Sequence, residues 1–192
     1  TRVQNILTLE FNRPEARNAY SAAMRDALFE ALCLLDADNS IEKCVIQGVG
    51  DCFCIGGDLS EFGLATDPAQ AHLIRMARPI TALLLKHAAR IECRVHRACI
   101  GSGIELPAFA SKLMATEDAF FQLPELSMGL IPGAGGTVSI LKRIGRQRLA
   151  WWVLSGKKIN ARTALEWGLV DEISIAPPVC SRGSAPKGRG GH

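Results

Sequence analysis

Glycine placement constrains this chain more than any other feature of its sequence. Glycine-rich segments at Ile55-Gly56-Gly57, Gly101-Ser102-Gly103 and Gly133-Ala134-Gly135-Gly136 fall where β-forming runs give way to runs of helical periodicity. Residues 3–11 are rich in β-formers and loosely alternate, which predicts a strand. Asn12-Arg13-Pro14 ends it, because proline lacks an N–H and disfavours helix in the residue before it. Ser21 is a predicted N-cap, and behind it Met24, Ala27, Leu28, Ala31, Leu32 and Leu35 recur at helical spacing. Further strands are predicted at 44–47, at 94–98 and within 112–122, and helices at 69–86, 104–110, 134–144, 146–154 and 161–167. This alternation of strand, glycine turn and helix predicts an α/β domain with crossover connections.

The 192 residues suit one domain, and an apolar share of 48% can bury a core, which excludes disorder over most of the chain. The 22 Lys and Arg against 19 Asp and Glu give a formal charge of +3. Three of those cations, Arg182, Lys187 and Arg189, lie in 175–192, where there is no acid, so residues 1–174 carry 19 charges of each sign. Seven of the last eighteen residues are Gly or Pro. The expected organisation is therefore a core domain over 1–174 and a disordered basic tail over 175–192. A neutral body and three tail charges argue against a nucleic-acid or membrane-surface partner. The longest uncharged run, 126–141, holds Pro132 and four glycines and is no membrane span. Seven cysteines are an odd number in apolar context, and Cys52-Phe53-Cys54 has no second Cys/His pair at zinc spacing. No metal site is expected, and the thiols point to a reducing intracellular compartment, the cytoplasm or an organelle matrix.

The glycine segments contain neither a P-loop nor a dinucleotide fingerprint. They can instead supply backbone N–H groups, since small residues let a ligand approach the main chain. Gly101-Ser102-Gly103-Ile104-Glu105 does so at the start of a predicted helix, where free N–H groups converge. Two such segments facing one carbonyl oxygen would form an oxyanion hole; each taken alone also reads as an ordinary tight turn. Glu105 lies among Ile104, Leu106, Pro107, Ala108 and Phe109, and Glu125 within Leu123-Pro124-Glu125-Leu126. Apolar surroundings desolvate a carboxylate and move its pKa toward the range useful for proton transfer, although a structural Glu bonded to backbone would look the same. His72, His87 and His96 stand at unrelated spacings and read as structural or exposed, and Trp151-Trp152 as core or subunit contact.

These segments resemble the enoyl-CoA hydratase/isomerase (crotonase) superfamily over 3–174. The resemblance is carried by Asn12-Arg-Pro-Glu-Ala-Arg-Asn-Ala19, Cys52-Phe-Cys-Ile-Gly-Gly-Asp-Leu59, Gly101-Ser-Gly-Ile-Glu-Leu106, Pro124-Glu-Leu-Ser-Met-Gly129, Ile131-Pro-Gly-Ala-Gly-Gly-Thr137 and Asn160-Ala-Arg-Thr-Ala-Leu-Glu-Trp-Gly-Leu-Val-Asp171, in collinear order. It implies a spiral of repeated ββα units, assembled as a homotrimer or hexamer, that stabilises an enolate formed from an acyl-CoA thioester. By position, the N–H groups of Ile55 and Ser102 would form the oxyanion hole. Gly56, Gly57 and Asp58 would line the substrate-binding loop. Glu105 and Glu125 fall on the two catalytic glutamate positions of the hydratases, and keeping both favours addition of water to a trans-2-enoyl-CoA. No cofactor is implied, because coenzyme A is part of the substrate.

Three features depart from the family pattern. Val95-His96-Arg97-Ala98 stands where relatives commonly have Asn-Gly, and Pro107 follows close behind Glu105. The usual C-terminal helical region is expected to be lacking, since the Gly/Pro-rich tail follows Leu169-Val-Asp-Glu172. Two alternatives stay open at this level: an enoyl-CoA isomerase, and a catalytically impaired acyl-CoA-binding or assembly subunit of the same fold.

Overall fold

In the computed structural model, which describes residues 1–63, 67, 69, 73 and 76–174, the first predicted strand divides in two. β1 (Arg2–Val3) turns back antiparallel onto β2 (Ile6–Phe11). The expected tail at 175–192, His72 and part of the helix expected at 69–86 lie outside the described residues. α1 (Ala22–Ala37) begins where expected, with the Ser21 hydroxyl accepting the Met24 N–H at 3.3 Å, and it buries Leu28, Leu32 and Leu35. β3 (Lys43–Gly48), α2 (Ile80–Lys86) and β4 (Ile91–Val95) follow, with α1 packed against α2.

The extended stretch expected at 94–98 breaks at Arg97, which takes a left-handed φ of 48°. β5 (Ala98–Ile100) therefore leaves the sheet that β4 belongs to. The helix expected at 104–110 is a short α3 (Ser102–Glu105) followed by a 3-10 turn at Pro107–Phe109. Pro107 opens that turn, where a missing N–H costs nothing. β6 (Lys112–Thr116) and β7 (Phe120–Gln122) precede α4 (Gly136–Ser155). The two helices expected around residue 145 are the halves of α4, broken at Gly145 with φ 77° and ψ 166°. β8 (Ile159–Asn160), α5 (Ala161–Trp167) and β9 (Glu172–Ser174) complete the described chain.

One sheet has the order β1-β2-β3-β4-β6-β9 and the other β5-β7-β8. All neighbours in the first are parallel except β1 and β2. β4 leads into β5 and β6 into β7, so each turn of the chain gives one strand to each sheet. A parallel bridge from Cys54 to Cys99 attaches the segment after β3 to β5 in the same way. Repeated in parallel register, these strand pairs wind a spiral whose interior holds Phe53, Leu113, Phe121, Leu123 and Trp152, each fully buried.

Close backbone approach fixes the spiral where its turns meet. A Cβ on Gly103 would collide with the Cys54 carbonyl oxygen and lie 3.0 Å from the Cys54 carbonyl carbon. Neither atom belongs to a side chain that could swing away. Gly103→Ala should therefore lower stability by about 3 kcal/mol, the upper end of overpacking costs. Gly133→Ala, whose Cβ would meet only the Ile131 carbonyl at 3.6 Å, should change the thermal midpoint little. Thermal unfolding of the two variants checks the contrast.

Candidate active site

The site is built on that approach. Cys54 donates its N–H to Ala98 and accepts from Ile100, at 3.1 and 3.0 Å. Both of its backbone groups thus face β5, and the alternation of an extended chain turns the Ile55 N–H to the other side. The Ile55 N–H makes no backbone hydrogen bond among the described residues, and neither does that of Ser102, the first residue of α3. The first N–H groups of a helix have no intrahelical acceptor, so Ser102 presents its own by default. Gly56 packs beside the Ile100 carbonyl, with 3.1 Å from its Cβ position to that oxygen, so the two segments run side by side.

Glu105 closes α3, 2% exposed. Its Oε2 accepts the N–H groups of Ala134 and Gly136, each at 2.8 Å. A Cβ on Gly136 would lie 2.7 Å from Glu105 Cγ, so only glycine lets the start of α4 come this close. The Ser139 hydroxyl, one turn into α4, donates to the Glu105 carbonyl at 2.7 Å and holds helix and glutamate together. Burial pushes the Glu105 carboxyl up to about 7, against the lowering effect of the Gly136 N–H and with a further rise from the Glu125 charge.

Glu125 begins the 3-10 turn Glu125–Met128 and is 8% exposed. Its Oε1 lies 2.6 Å from the Cβ position of Gly101, directly beside the Ser102 turn. Its Oε2 is buried with no hydrogen-bond partner among the described residues. Burial raises its pKa above the usual carboxylate range. The structure thus brings together Glu105, Glu125, Ile55 and Ser102, the residues expected from the sequence.

Gly57 belongs to the same loop, with the Phe62 ring 3.0 Å from its Cβ position. The Asp58 carboxylate is held by the Ser60 hydroxyl at 2.7 Å and by Arg13 at 2.9 Å, and these bonds keep it below its ordinary pKa. Asp58 thereby anchors the loop.

Several residues that shape the site were not singled out by sequence reasoning. Asn18 is fully buried; it accepts the Arg13 N–H at 2.8 Å and donates to the carbonyls of Val49 and Cys52 at 2.9 and 3.0 Å. It stitches the turn after β2 to the loop that carries Ile55. Its signal was the loop Asn12–Ala19 itself, which has too few apolar residues to hold its shape by packing. Arg143 donates to the carbonyls of Ala108, Ala110 and Leu169 and pairs with Asp171 at 3.1 Å, clamping α4 to the segment behind Glu105. Nothing local in the sequence separates Arg143 from its neighbours Lys142 and Arg146.

Among the described residues no three His, Cys, Asp or Glu side chains group as a metal site, and no helix is long and apolar enough to cross a membrane. Burial pushes the Cys54 thiol up to about 12 and the Cys99 thiol well above its ordinary value, so neither is a poised nucleophile.

Comparison with known proteins identifies the family. Residues 1–181 match the family described as enoyl-CoA hydratase/isomerase. The chain is 35% identical to the 2,3-dehydroadipyl-CoA hydratase of Escherichia coli strain K12, over 90% of this chain and 67% of that one. It is 30% identical to the 1,2-epoxyphenylacetyl-CoA isomerase of the same organism, over 88% of this chain and 66% of that one. The crystal structure of an enoyl-CoA hydratase from Mycobacterium smegmatis superposes with a TM-score of 0.80 at 30% identity, covering 88% of this chain and 66% of that one. The chain spans about two-thirds of the length of each of these relatives. With the family match running through the whole described core, the chain belongs to the enoyl-CoA hydratase/isomerase (crotonase) superfamily and carries its α/β spiral of repeated ββα units.

Proposed function

We propose that this chain is an enoyl-CoA hydratase, adding water to a trans-2-enoyl-CoA thioester. The observation that carries the reading is the pair of buried carboxylates beside two free N–H groups: Glu105 anchored through one oxygen, and Glu125 with an unpartnered oxygen at the Ser102 turn. The thioester oxygen would accept the N–H groups of Ile55 and Ser102, with Gly56 and Gly57 keeping the loop open to the substrate's approach. Losing one such donor typically costs about 3 kcal/mol of transition-state stabilisation. Coenzyme A enters as part of the substrate, and no separate cofactor takes part.

Glu105 takes a proton from water as the water oxygen bonds to C3. The C2=C3 electron pair moves onto the thioester oxygen as an enolate, held by the two N–H groups. The enolate collapses by taking a proton at C2 from Glu125. The working form of the pair carries one proton between two carboxyls, and its titration belongs to the pair. Two backbone N–H groups on Glu105 favour its ionised form in that state.

The isomerase reading is supported by the family description, which covers enoyl-CoA isomerases beside the hydratases. The two reactions differ in their need for Glu105, since moving a double bond requires no attacking water. Assembly as a homotrimer or hexamer is part of the proposal, supported by exposed apolar side chains on α4 at Val138, Leu141, Trp151 and Leu154.

With crotonyl-CoA as substrate, Glu125→Gln should lower kcat by about 10²- to 10⁴-fold, the usual loss of a general acid, with KM nearly constant. Glu105→Gln should abolish hydration to a similar degree; isomerisation of a 3-enoyl-CoA that survives this change while the wild type hydrates poorly would decide for the isomerase. Because the working pair carries one proton with Glu105 as the anion, kcat/KM should fall on the acid side as the pair takes up its second proton. Both carboxyls are buried, so that fall lies at a pH above the ordinary glutamate range. The raised pKa of Glu105 has a stability consequence. A carboxyl that ionises near 7 when folded and near 4.5 when unfolded stabilises the fold below pH 4.5, and that contribution is lost as pH rises through 7. Glu105→Gln should therefore gain on the wild type between pH 4.5 and 7, levelling off at about 3 kcal/mol, as read by denaturant unfolding across that range.

A further inference from the structure

Ser102 carries a hydroxyl that the reaction described above does not use. The residue is 8% exposed and its Oγ is buried with no hydrogen-bond partner among the described residues. A buried hydroxyl left unpaired costs about 1–3 kcal/mol, and such groups are rare enough to need a reason. Glycine or alanine at this position would present the same backbone N–H without that cost.

The surroundings supply the reason. The Ser102 N–H has no backbone acceptor among the described residues. Glu125, whose Oε2 is also unpartnered, presses against the adjacent Gly101. Three polar groups at one turn thus lack partners together. Covalent geometry then limits where the hydroxyl can be: in any staggered rotamer Oγ stays within about 4 Å of the nitrogen of its own residue. In a rotamer that turns Oγ to the side of the N–H, an oxygen accepting from the Ser102 N–H would meet the Ser102 O–H as well.

We propose that the Ser102 hydroxyl is a third donor to the thioester oxygen, joining the N–H groups of Ile55 and Ser102 and tightening as that oxygen becomes an enolate. The inference rests on the acyl-CoA reading and makes Ser102 a catalytic residue through its side chain as well as its backbone. The cost of the unpaired hydroxyl in the free protein is relieved when substrate binds, so the donor is in place before the reaction begins.

The test uses 4-(dimethylamino)cinnamoyl-CoA, a conjugated thioester whose absorption moves to the red as its carbonyl is polarised. It is bound to the full chain as wild type, Ser102→Ala and Ser102→Cys. The wild type should shift the band strongly, Ser102→Ala clearly less, and Ser102→Cys, a weaker donor of the same shape, in between. With crotonyl-CoA, Ser102→Ala should lose about a hundredfold in kcat with KM within about threefold. Its thermal midpoint should equal or exceed that of the wild type, because removing an unpaired buried hydroxyl relieves a cost; a hydroxyl with a structural role would lower the midpoint instead. An unchanged red shift in Ser102→Ala overturns the third donor and leaves the acyl-CoA reading standing. A wild type that binds the probe without any red shift overturns that reading, and the donor with it. Should Ser102→Ala not fold, the comparison of wild type with Ser102→Cys decides, equal shifts counting against the proposal.

Discussion

The site depends on a contact between two stretches of backbone, the approach of Gly103 to the carbonyl of Cys54. That contact leaves no room for a side chain, and it sets the start of α3 against the segment that follows β3. The Cys54–Cys99 bridge fixes their register, and the hydrogen bonds of Cys54 to Ala98 and Ile100 fix their direction. Two N–H groups from opposite ends of the spiral's turns are thereby left without acceptors beside each other. Because both are main-chain groups, a change of side chain at Ile55 leaves its N–H in place, and the Ser102 N–H likewise does not depend on its hydroxyl. Asn18 and Asp58 act one step back, holding the loops that hold the donors.

The carboxylates show which of two opposing effects prevails. The N–H groups of Ala134 and Gly136 favour the charged form of Glu105, yet its pKa still stands near 7, so burial and the neighbouring Glu125 outweigh two hydrogen bonds. The remaining imbalance amounts to about 3 kcal/mol against ionisation at high pH. Such a group can take up and release a proton near neutrality, which a solvated glutamate does poorly. The fold sustains the cost because α4 is clamped from behind. Arg143 ties it to the segment after Glu105 and to Asp171, whose carboxylate also accepts the Leu113 N–H at 2.7 Å.

Much of this was legible in the sequence, for physical reasons that can be named. The Ser21 cap and its helix were readable because capping and periodicity are local. Glu105 and Glu125 stood out because a charge among apolar neighbours is costly unless the fold has a use for it. The break at Arg97 was not legible, because 94–98 reads as one extended stretch and a left-handed φ at a non-glycine residue has no local signal. Arg143 was illegible and the partners of Asn18 were too, because they lie across the fold: Arg143 is 28 residues from Asp171, and Asn18 is 34 residues from Cys52. The charge balance is legible but coarse. Residues 1–174 sum to zero, yet 126–165 holds seven cations and no acid, so the neutrality describes a sum rather than any surface.

That asymmetry leaves the electrostatics of the site to the backbone. The groups that offset the Glu105 carboxylate are the N–H dipoles of Ala134 and Gly136, and the main-chain groups that would face a developing enolate are those of Ile55 and Ser102. Ser102 and Gly136 are fixed by the helices they open, Ile55 and Ala134 by the loops that precede a packed element, and none titrates. A mobile lysine would have to be ordered and desolvated to do the same work, whereas these dipoles are oriented when the chain folds. In a buried site they are also screened far less than surface charges. The proposed chemistry therefore depends little on the net charge of the chain and heavily on the close approaches at Gly103 and Gly136, where a Cβ would collide with the Cys54 carbonyl and with Glu105 Cγ.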